Sequence, residues 1–374
     1  MKKIGIITII DYTNYGNRLQ NYAVQEVLKS LECNVETLIY ERKKENINNI
    51  KLVDLIKKIR KITIKKIIES LVARIIKRSL IKPLEAKIDK FKQFTQKHIL
   101  ETRFVILDDF EVEEVNQFDY FIVGSDQVWN PIFRKGSSID FLTFAQKNKR
   151  IAYAPSFGVS SIPSEYVKIY SDWISEIEYL SVREEAGAKI IKQLTGRDAI
   201  VLVDPTLMLT RKKWLSIATA ALNKPKQKYL LTYFMGEVSK DRRKKIKSVA
   251  IKNNLKIVNL CSIKDKSRYD ADPGEFIDYI NSASIFFTDS FHGTVFSILL
   301  EKPFVIFDRE EKTPSMNSRI DTLLAKFKLE SRKADNINLN SGIFEVDYSQ
   351  VPFILEAERK KTIAYLKNAL DLMA

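Results

Sequence analysis

The amino-acid sequence predicts an α/β protein made of two Rossmann-like, doubly wound halves. Short apolar runs alternate with amphipathic helical patterns along most of the chain, which is typical of parallel strands covered by helices. The length of 374 residues is more than one ordinary core accommodates. Hydrophobic residues make up 45% and charged residues 29%, as in folded globular proteins.

The first half is predicted from the order of its elements. Strands are expected at 3–10, 34–40, 120–124, 150–154, 179–182 and 200–203, with helices at 17–31, 164–175 and 184–194. The run Asp204-Pro205-Thr206 ends this series, because proline restricts the residue before it. We therefore place the domain boundary within 204–214, which gives a first half of 1–208.

The second half, 209–374, repeats the same alternation. Strands are predicted at 228–234, 256–260, 284–288 and 304–307, and helices at 240–253, 274–281 and 292–300. A final helix is expected at 352–372. The two halves thus have the same class of secondary structure in the same order.

A basic helical insertion is predicted at about 43–103 in the first half. The chain carries a net charge of +15, and residues 41–103 hold 19 Lys or Arg against 7 Asp or Glu. Within 51–81, apolar residues recur three or four apart between the cations. This pattern fits a helix packed on its own domain with a solvated basic face, and it also fits peripheral contact with an anionic membrane. Basic charge without a recognised motif does not indicate a nucleic-acid partner.

Several classes of site are disfavoured. Cys33 and Cys261 lie far apart without a CxxC motif, which argues against a disulfide framework or a structural zinc site. Walker, HExxH and Ser-His-Asp patterns are missing, so we expect neither a metal nor a cofactor. The apolar run 4–10 is too short to span a bilayer and lacks a cleavage site. We expect a cytoplasmic protein, with docking on the inner face of the cell membrane as an open alternative.

The strongest candidate for function follows the strand at 284–288. Ligands of open α/β sheets bind beyond the carboxyl ends of the strands. His292, one of only two histidines, stands there at a strand-to-helix junction. A helix start favours phosphate, and an imidazole can donate to it or transfer a proton near neutral pH. His98 lies in a basic helical stretch and is predicted to be structural.

Three other strand ends carry polar residues. The loop 124–131 combines a carboxylate, amides, a hydroxyl and an indole, the groups that commonly hold sugars. Arg183 could grip a carboxylate or phosphate, or pair with the nearby Glu184. The turn 11–17 could hold an anion or sugar hydroxyls, or be a plain capped turn built on Gly16 and Asn17.

These residues together resemble the polysaccharide pyruvyl transferase family. The matching segments, in chain order, are Asn14-Tyr15-Gly16-Asn17-Arg18-Leu19-Gln20, Gly124-Ser125-Asp126-Gln127-Val128-Trp129-Asn130, Ser181-Val182-Arg183-Glu184, Asp204-Pro205-Thr206, Ser290-Phe291-His292-Gly293 and Asn317-Ser318-Arg319. Their order and spacing carry the resemblance, since each segment alone is weakly specific.

The resemblance implies a GT-B-like pair of domains facing a cleft and a defined reaction. Members of the family transfer pyruvate from phosphoenolpyruvate to a sugar as a cyclic ketal, on polysaccharide, capsule, exopolysaccharide or lipid-linked oligosaccharide precursors. The first half is then the acceptor side and the second half the donor side. Members often carry Arg-Leu-His where this chain has Ser290-Phe291-His292, so Arg183 or Arg319 takes the role of the missing arginine, or the donor differs.

Roles follow from that resemblance by position. The residues expected to be catalytic are His292, Asp126 and Asp11. Those expected to bind the donor are Arg183, Ser290, His292, Gly293, Thr294 and Arg319. Those expected to bind the acceptor are Asn14, Tyr15, Asn17, Ser125, Gln127, Trp129 and Asn130. Two other functions remain open: a nucleotide-sugar-dependent glycosyltransferase of similar architecture, and a non-catalytic, membrane-docked assembly factor.

Overall fold

The computed structural model describes residues 1–41, 66–107, 113–263, 265–309, 318–339 and 341–372. The strands of its first sheet are β1 (Lys3–Ile7), β2 (Asn34–Glu41), β3 (Glu101–Leu107), β4 (Tyr120–Val123) and β5 (Arg150–Ala152). They are parallel and stand in the order β3-β2-β1-β4-β5. This is the order of a Rossmann half, with its crevice between β1 and β4, where the winding reverses.

Two short strands extend this sheet at the β5 edge. They are β6 (Ser181–Val182) and β7 (Ile200–Val201), which pair in parallel. A single bridge between Ile151 and Tyr179 joins them to β5. The loops that follow β6 and β7 therefore emerge on the same side as those that follow β1 and β4.

The second sheet consists of β8 (Tyr229–Tyr233), β9 (Lys256–Asn259), β10 (Ile285–Thr288) and β11 (Phe304–Ile306). Its order is β11-β10-β8-β9, again parallel. Phe287 pairs with both Thr232 and Val305, and every residue of β10 is buried. Continuous burial explains the unbroken apolar runs of these strands and confirms the predicted α/β class with parallel sheets.

Helices connect the strands and cover the sheets. They are α1 (Tyr15–Lys29), α2 (Lys66–His98), α3 (Pro131–Arg134), α4 (Ser164–Ser175), α5 (Glu185–Thr195), α6 (Arg211–Ile217), α7 (Lys240–Lys252), α8 (Lys266–Tyr269), α9 (Pro273–Ser282), α10 (Phe291–Leu299), α11 (Ser318–Phe327) and α12 (Val351–Ala369). Local sequence fixes their starts. Helix α9, for example, opens with a capping box between Asp272 and Glu275 and with Pro273 in its first turn. No described helix has both the length and the apolar character that crossing a membrane requires.

Helix α2 is the described part of the predicted basic insertion. The stretch 42–65 and the side chains before residue 81 lie outside the described residues, so the interpretation of 51–81 as a membrane-contacting surface stays a prediction. The residues from Glu101 onward form β3 instead of the end of the insertion. Helix α2 also reaches the second half, where Lys90 pairs with Asp270 and Glu275.

The final helix α12 contacts both halves of the chain. Tyr365 donates its hydroxyl to the carbonyl of Ala152 at 2.7 Å, and Arg359 donates to the carbonyl of Leu207. Lys326 of α11 pairs with Glu358 of α12 at 2.7 Å. The predicted boundary at 208/209 stays a prediction, but a helix from the end of the chain packs on the first half as well as on the second.

Candidate functional site

Four loops from the carboxyl ends of strands meet between the two sheets. Asp126 follows β4, Arg183 directly follows β6 and Asp204 follows β7, all in the first half. His292 comes from the second half, as the second residue of α10 after β10. The sequence predicted each of these strand ends separately, and the structure places Asp126, Arg183 and His292 together around Asp204.

Asp204 is the centre of the cluster. Its Oδ2 atom accepts from Nη1 of Arg183 at 2.5 Å and from Oγ of Ser125 at 3.0 Å. The same oxygen lies 3.4 Å from Nε2 of His292. Burial opposes ionisation of this carboxyl, but the charges of His292 and Arg183 outweigh it and hold the pKa of Asp204 well below its usual range. Asp204 is therefore an ionised carboxylate at neutral pH.

Asp126 provides a second buried carboxylate. Its backbone has a φ of 77°, a left-handed conformation unusual outside glycine. Its Oδ2 accepts from Nδ2 of Asn17 at 3.2 Å, while Nη2 of Arg183 stands 3.8 Å from Oδ1, too far for a hydrogen bond. Burial raises the pKa of Asp126, and the charges of His292, Arg183 and Arg319 more than reverse that effect. Asp126 is thus also held in its ionised form.

Two arginines flank the ring of Phe291. The guanidinium carbon of Arg183 lies 4.3 Å from the ring centroid and that of Arg319 lies 5.8 Å from it. Both arginines are buried, with 4% and 5% of their surface exposed. Within the described residues, Nε and Nη2 of Arg183 and Nε of Arg319 have no hydrogen-bond partner. Burial, reinforced by the charge of Arg183, lowers the pKa of Arg319 to about 10.

Buried donors that lack an acceptor destabilise the folded protein, because they have lost their hydrogen bonds to water. They become favourable when an anion accepts from them, and planar guanidinium groups suit carboxylate and phosphate oxygens. The arrangement around Phe291 therefore fits a small, multiply charged anion.

His292 lies where the first turns of two helices meet. A Cβ added to Gly16, in the first turn of α1, would come within 2.0 Å of Nδ1 of His292. Only glycine permits this approach of α1 to α10. Since both helices direct their positive ends into the site, they add to the potential that favours an anion there.

The remaining donor-side residues shape the start of α10. Oγ of Ser290 accepts from the backbone N–H of Gly293 at 3.2 Å, and Oγ1 of Thr294 donates to the carbonyl of Ser290 at 3.0 Å. Ser290 is thus the N-cap of α10. The side chains of Ser290 and Thr294 are engaged by the helix, and the positive charge near Phe291 comes from Arg183 and Arg319.

The turn after β1 is held by its own hydrogen bonds. Oδ1 of Asp11 accepts from the N–H and hydroxyl of Thr13 at 2.8 and 2.6 Å. Asn14 caps α1 by accepting from the N–H of Asn17 at 3.3 Å, and Oδ1 of Asn17 accepts from the N–H of Asp11 at 2.9 Å. Of these residues, Asn17 is the one that reaches the cluster, through Asp126.

The two aromatic residues predicted to bind the acceptor do not line the site. Tyr15 and Trp129 are fully buried. The ring of Tyr15 stacks on Phe276 at 4.3 Å, and that of Trp129 stacks on Phe141 at 5.3 Å while its Nε1 donates to the carbonyl of Asp140. The expectation that these rings present a face to a sugar is therefore wrong, because both rings pack against other aromatic side chains in the core.

The polar residues of the 124–131 loop have divided roles. Ser125 contacts Asp204, as described above. Asn130 caps α3 by accepting from the N–H of Ile132 at 2.9 Å, and it donates to Oε1 of Gln127 at 2.8 Å. Gln127 is half-buried beside Gly158. Ser125 and Asp126 therefore belong to the cluster, whereas Asn130 organises the loop.

Sequence reasoning assigned no role to Asp204, the carboxylate at the centre of the cluster. It entered only as the end of a strand pattern and as part of a segment of the family resemblance, although its place right after a predicted strand was a usable signal. Glu184 does not pair with Arg183: its Oε1 accepts from the hydroxyl of Ser156 and from the N–H of Phe157. Asp289 closes the crevice of the second sheet, where its carboxylate accepts from the N–H groups of Met235 and Gly236 at 2.8 and 2.9 Å.

A search of the described ranges finds no cluster of three or more histidine, cysteine or acidic residues that could hold a metal ion. The site offers instead two carboxylates, two guanidinium groups and an imidazole. Such a set can bind an anion, orient a hydroxyl and move a proton.

Comparisons with known proteins agree with the family resemblance. A model of the polysaccharide pyruvyl transferase family matches residues 14–311. The matched stretch includes Asn17, Asp126, Arg183, Asp204 and His292. A search of curated protein sequences finds no significant match.

The solved structures that match this chain have low sequence identity to it. A Listeria monocytogenes protein provisionally named a UDP-N-acetylglucosamine 2-epimerase is 9% identical with a TM-score of 0.48, covering 97% of this chain and 90% of its own. The UDP-GlcNAc 2-epimerase from Neisseria meningitidis, bound to UDP-GlcNAc, is 13% identical with a TM-score of 0.42, covering 100% and 98%. Arabidopsis thaliana UGT89C1, complexed with UDP-L-rhamnose, is 10% identical with a TM-score of 0.41, covering 99% and 94%.

Proposed function

The chain belongs to the polysaccharide pyruvyl transferase family, and on that premise we propose that it transfers pyruvate from phosphoenolpyruvate to a sugar of a polysaccharide or lipid-linked oligosaccharide precursor. The observation that carries the proposal is the pair of buried, incompletely bonded guanidinium groups of Arg183 and Arg319 close to the ring of Phe291, next to His292. Phosphoenolpyruvate carries its carboxylate and its phosphate on the same carbon, C2, so two neighbouring cations match it.

The arginine pair also accounts for the departure from the usual family motif. Ser290 stands where members often carry arginine, and its side chain caps α10. Arg319 approaches Phe291 from the start of α11, and Arg183 approaches it from the end of β6. We propose that these two side chains together hold the donor, with the first turn of α10 directing its N–H groups at the phosphate.

The reaction requires one proton at carbon and two new C–O bonds. A proton added to the methylene carbon of the enol makes it a methyl group and leaves an oxocarbenium-like centre at C2. A sugar hydroxyl attacks C2 and loses its proton. The C–O bond to phosphate then breaks, and phosphate leaves with the electron pair. A second hydroxyl attacks C2 and loses its proton to the departing phosphate, which closes the ketal ring.

His292 is proposed as the acid for the first of these steps. Asp204, an ionised carboxylate 3.4 Å from Nε2, is proposed to orient the imidazole ring toward the donor. Asp126 is proposed to orient and deprotonate the attacking hydroxyl. It is ionised, and its Oδ2 atom is held in place by a hydrogen bond from Asn17. The carboxylate of Asp11 accepts hydrogen bonds from Thr13 and not from residues of the cluster. Its proposed role is to position the acceptor.

The test is a reaction with phosphoenolpyruvate in the presence and absence of candidate sugar acceptors. Acceptor-dependent release of phosphate, together with a product that carries a pyruvyl group, supports the proposal.

We also propose that the enzyme meets its acceptor at an anionic membrane, through peripheral contact of residues 51–81. Co-sedimentation with phosphatidylglycerol vesicles at low and high salt tests this contact.

A further inference from the structure

The crevice of the second sheet lies between β8 and β10, where the winding of the chain reverses. From β8 the chain runs to β9 on one side, and it then returns to β10 on the other side. Ligands of open α/β sheets bind at such a reversal, beyond the carboxyl ends of the strands. A phosphate group there is held by backbone N–H groups of the loops and by basic side chains.

In this chain a carboxylate of the protein occupies donors of that kind. Asp289 directly follows β10, and only 2% of its surface is exposed. Its Oδ1 atom accepts from the N–H of Met235 at 2.8 Å, and its Oδ2 atom accepts from the N–H of Gly236 at 2.9 Å. Met235 and Gly236 belong to the loop that follows β8. Each oxygen of Asp289 therefore binds one donor from the opposite side of the crevice.

A guanidinium group stands beside the same carboxylate. Arg309 follows β11, and its Nε atom lies 3.6 Å from Oδ2 of Asp289, which is an ion pair without a hydrogen bond. Arg309 also packs closely against Gly236, since a Cβ added to that glycine would come within 2.7 Å of Cγ of Arg309. Two N–H groups and a guanidinium thus surround Asp289, and these are the groups that hold a phosphate in other proteins.

Hydrogen bonds next to Asp289 tie the two strands of the crevice together. Oγ1 of Thr288 donates to the carbonyl of Tyr233 at 2.6 Å and accepts from the N–H of Ser290 at 3.0 Å. The backbone is therefore fixed on both sides of Asp289. Because Ser290 also caps α10, the same loop holds Asp289 in the crevice and presents His292 to the cluster.

The occupied crevice is unfavourable for a second anion. An incoming phosphate would meet the negative charge of Asp289 at close range, where like charges repel. It would also find the two N–H donors already bonded. To take them, it would have to displace a buried carboxylate, which would lose its own partners. The crevice has the position and the donors of a phosphate site, but Asp289 fills it.

We propose that Asp289 is a specificity-determining residue, whose carboxylate takes the place of a ligand phosphate and keeps nucleoside diphosphates out of the second half. The enzyme then uses a donor that requires only the Arg183–Arg319 pair and the start of α10. The inference rests on the proposed function, because exclusion of nucleotides suits an enzyme whose donor carries none.

Removal of the carboxylate should convert the crevice into an anion site. Isothermal titration of inorganic pyrophosphate into the full-length protein, with phosphoenolpyruvate in excess, compares wild type with Asp289→Ala. The variant frees two N–H groups and Arg309, so it should bind pyrophosphate about tenfold or more tightly than wild type. Asp308→Ala is the control, because it removes a partly exposed carboxylate that pairs with Lys333 next to Arg309. It should bind pyrophosphate like wild type.

Thermal unfolding separates specificity from a purely structural role. If Asp289 only supports the loop after β8, Asp289→Ala has a lower Tm that pyrophosphate does not restore. The inference predicts that pyrophosphate raises the Tm of Asp289→Ala and leaves that of wild type unchanged, with phosphoenolpyruvate present in both. Arg309→Met added to Asp289→Ala should remove most of this rise. Wild-type affinity in a folded Asp289→Ala protein, or an equal gain in Asp308→Ala, overturns the inference.

Asp289→Asn is the second variant, for the case that Asp289→Ala does not fold. It keeps the shape of the side chain and one acceptor oxygen but removes the charge, so it should show a smaller gain in pyrophosphate affinity. A folded Asp289→Asn protein with the affinity of wild type contradicts the inference.

Titration of phosphoenolpyruvate alone into wild type reports on the proposed function. If phosphoenolpyruvate does not bind, and Asp289→Ala still gains one pyrophosphate site per chain over wild type, the donor is wrong and the exclusion by Asp289 stands. If phosphoenolpyruvate binds and Asp289→Ala gains no site, the donor stands and the exclusion is wrong.

Discussion

Nε2 of His292 lies 3.4 Å from Oδ2 of Asp204, so a carboxylate of the first half stands beside the imidazole of the second. The same carboxylate binds Arg183 and Ser125. The acid that we propose for proton transfer and an arginine that we propose for donor binding therefore share one buried partner. Their relative position depends on how the two halves pack together.

Replacement of the imidazole tests the proposed acid directly. His292→Ala should lower kcat by roughly 100-fold or more, the usual scale for loss of a general acid, with an unchanged circular dichroism spectrum. Acceptor-dependent phosphate release from phosphoenolpyruvate is the assay. Near-normal kcat in a folded His292→Ala protein would remove this residue from the mechanism.

The lowered pKa of Asp204 predicts that the free energy of unfolding depends on pH. The pKa of Asp204 is lower in the folded chain than in the unfolded one, so its contribution to the free energy of unfolding is full above about pH 4, the unfolded value, and is lost as pH falls below it. Urea unfolding at pH 7 and pH 3 measures this loss. Asp204→Asn should be less stable than wild type at pH 7 and closer to it at pH 3. A constant difference between the two proteins would show that the carboxylate is not linked to stability in this way.

Gly16 should tolerate no side chain. In Gly16→Ala the added Cβ would stand 2.0 Å from Nδ1 of His292, so the imidazole or α1 must move and both kcat and Tm should fall. Gly124→Ala is the stability control, since its Cβ would come no closer than 3.4 Å to another atom. Melting curves of the two variants provide the comparison, and equal Tm values would refute the close approach of the helices.

Arg183 should not be replaceable by another cation. In the wild type, the planar guanidinium of Arg183 binds Asp204 through Nη1 and leaves Nε and Nη2 available to donate to a ligand. Arg183→Lys keeps the charge but loses this arrangement of donors. Isothermal titration should show phosphoenolpyruvate binding weakened by about tenfold or more. Arg211→Lys, at a half-exposed salt bridge with Glu301, should leave that affinity unchanged. If Arg183→Lys binds the donor like wild type, Arg183 serves only to hold Asp204.

Much of the fold could be predicted because buried parallel strands leave a strong signal. The strand at β10 and the helix α10 were predicted within one residue of their observed bounds, and polar residues after apolar runs pointed to Asp126, Arg183 and His292. The sequence analysis predicts no strand at Glu101–Leu107, where the basic insertion is expected to end at about residue 103 and β3 is observed. An edge strand with alternating residues has a weaker signal than a central one.

The contacts between distant loops could not be predicted from one sequence. Trp129 stands in a polar loop, and only the folded chain shows that its ring turns inward onto Phe141. The approach of Gly16 to His292 joins residues far apart in sequence. Lys87 looked like one cation among many on a basic helix, and its burial among three rings depends on where α2 packs.

The central claim is that phosphoenolpyruvate is the donor substrate. The most direct measurement is mass spectrometry of products formed on a lipid-linked oligosaccharide, with phosphoenolpyruvate and a set of nucleotide sugars offered as competing donors. The account predicts that the acceptor gains the mass of a pyruvyl ketal, that one phosphate is released for each product, and that His292→Ala slows both by roughly 100-fold or more. An acceptor that gains a hexose from a nucleotide sugar, with phosphoenolpyruvate left intact, would contradict it.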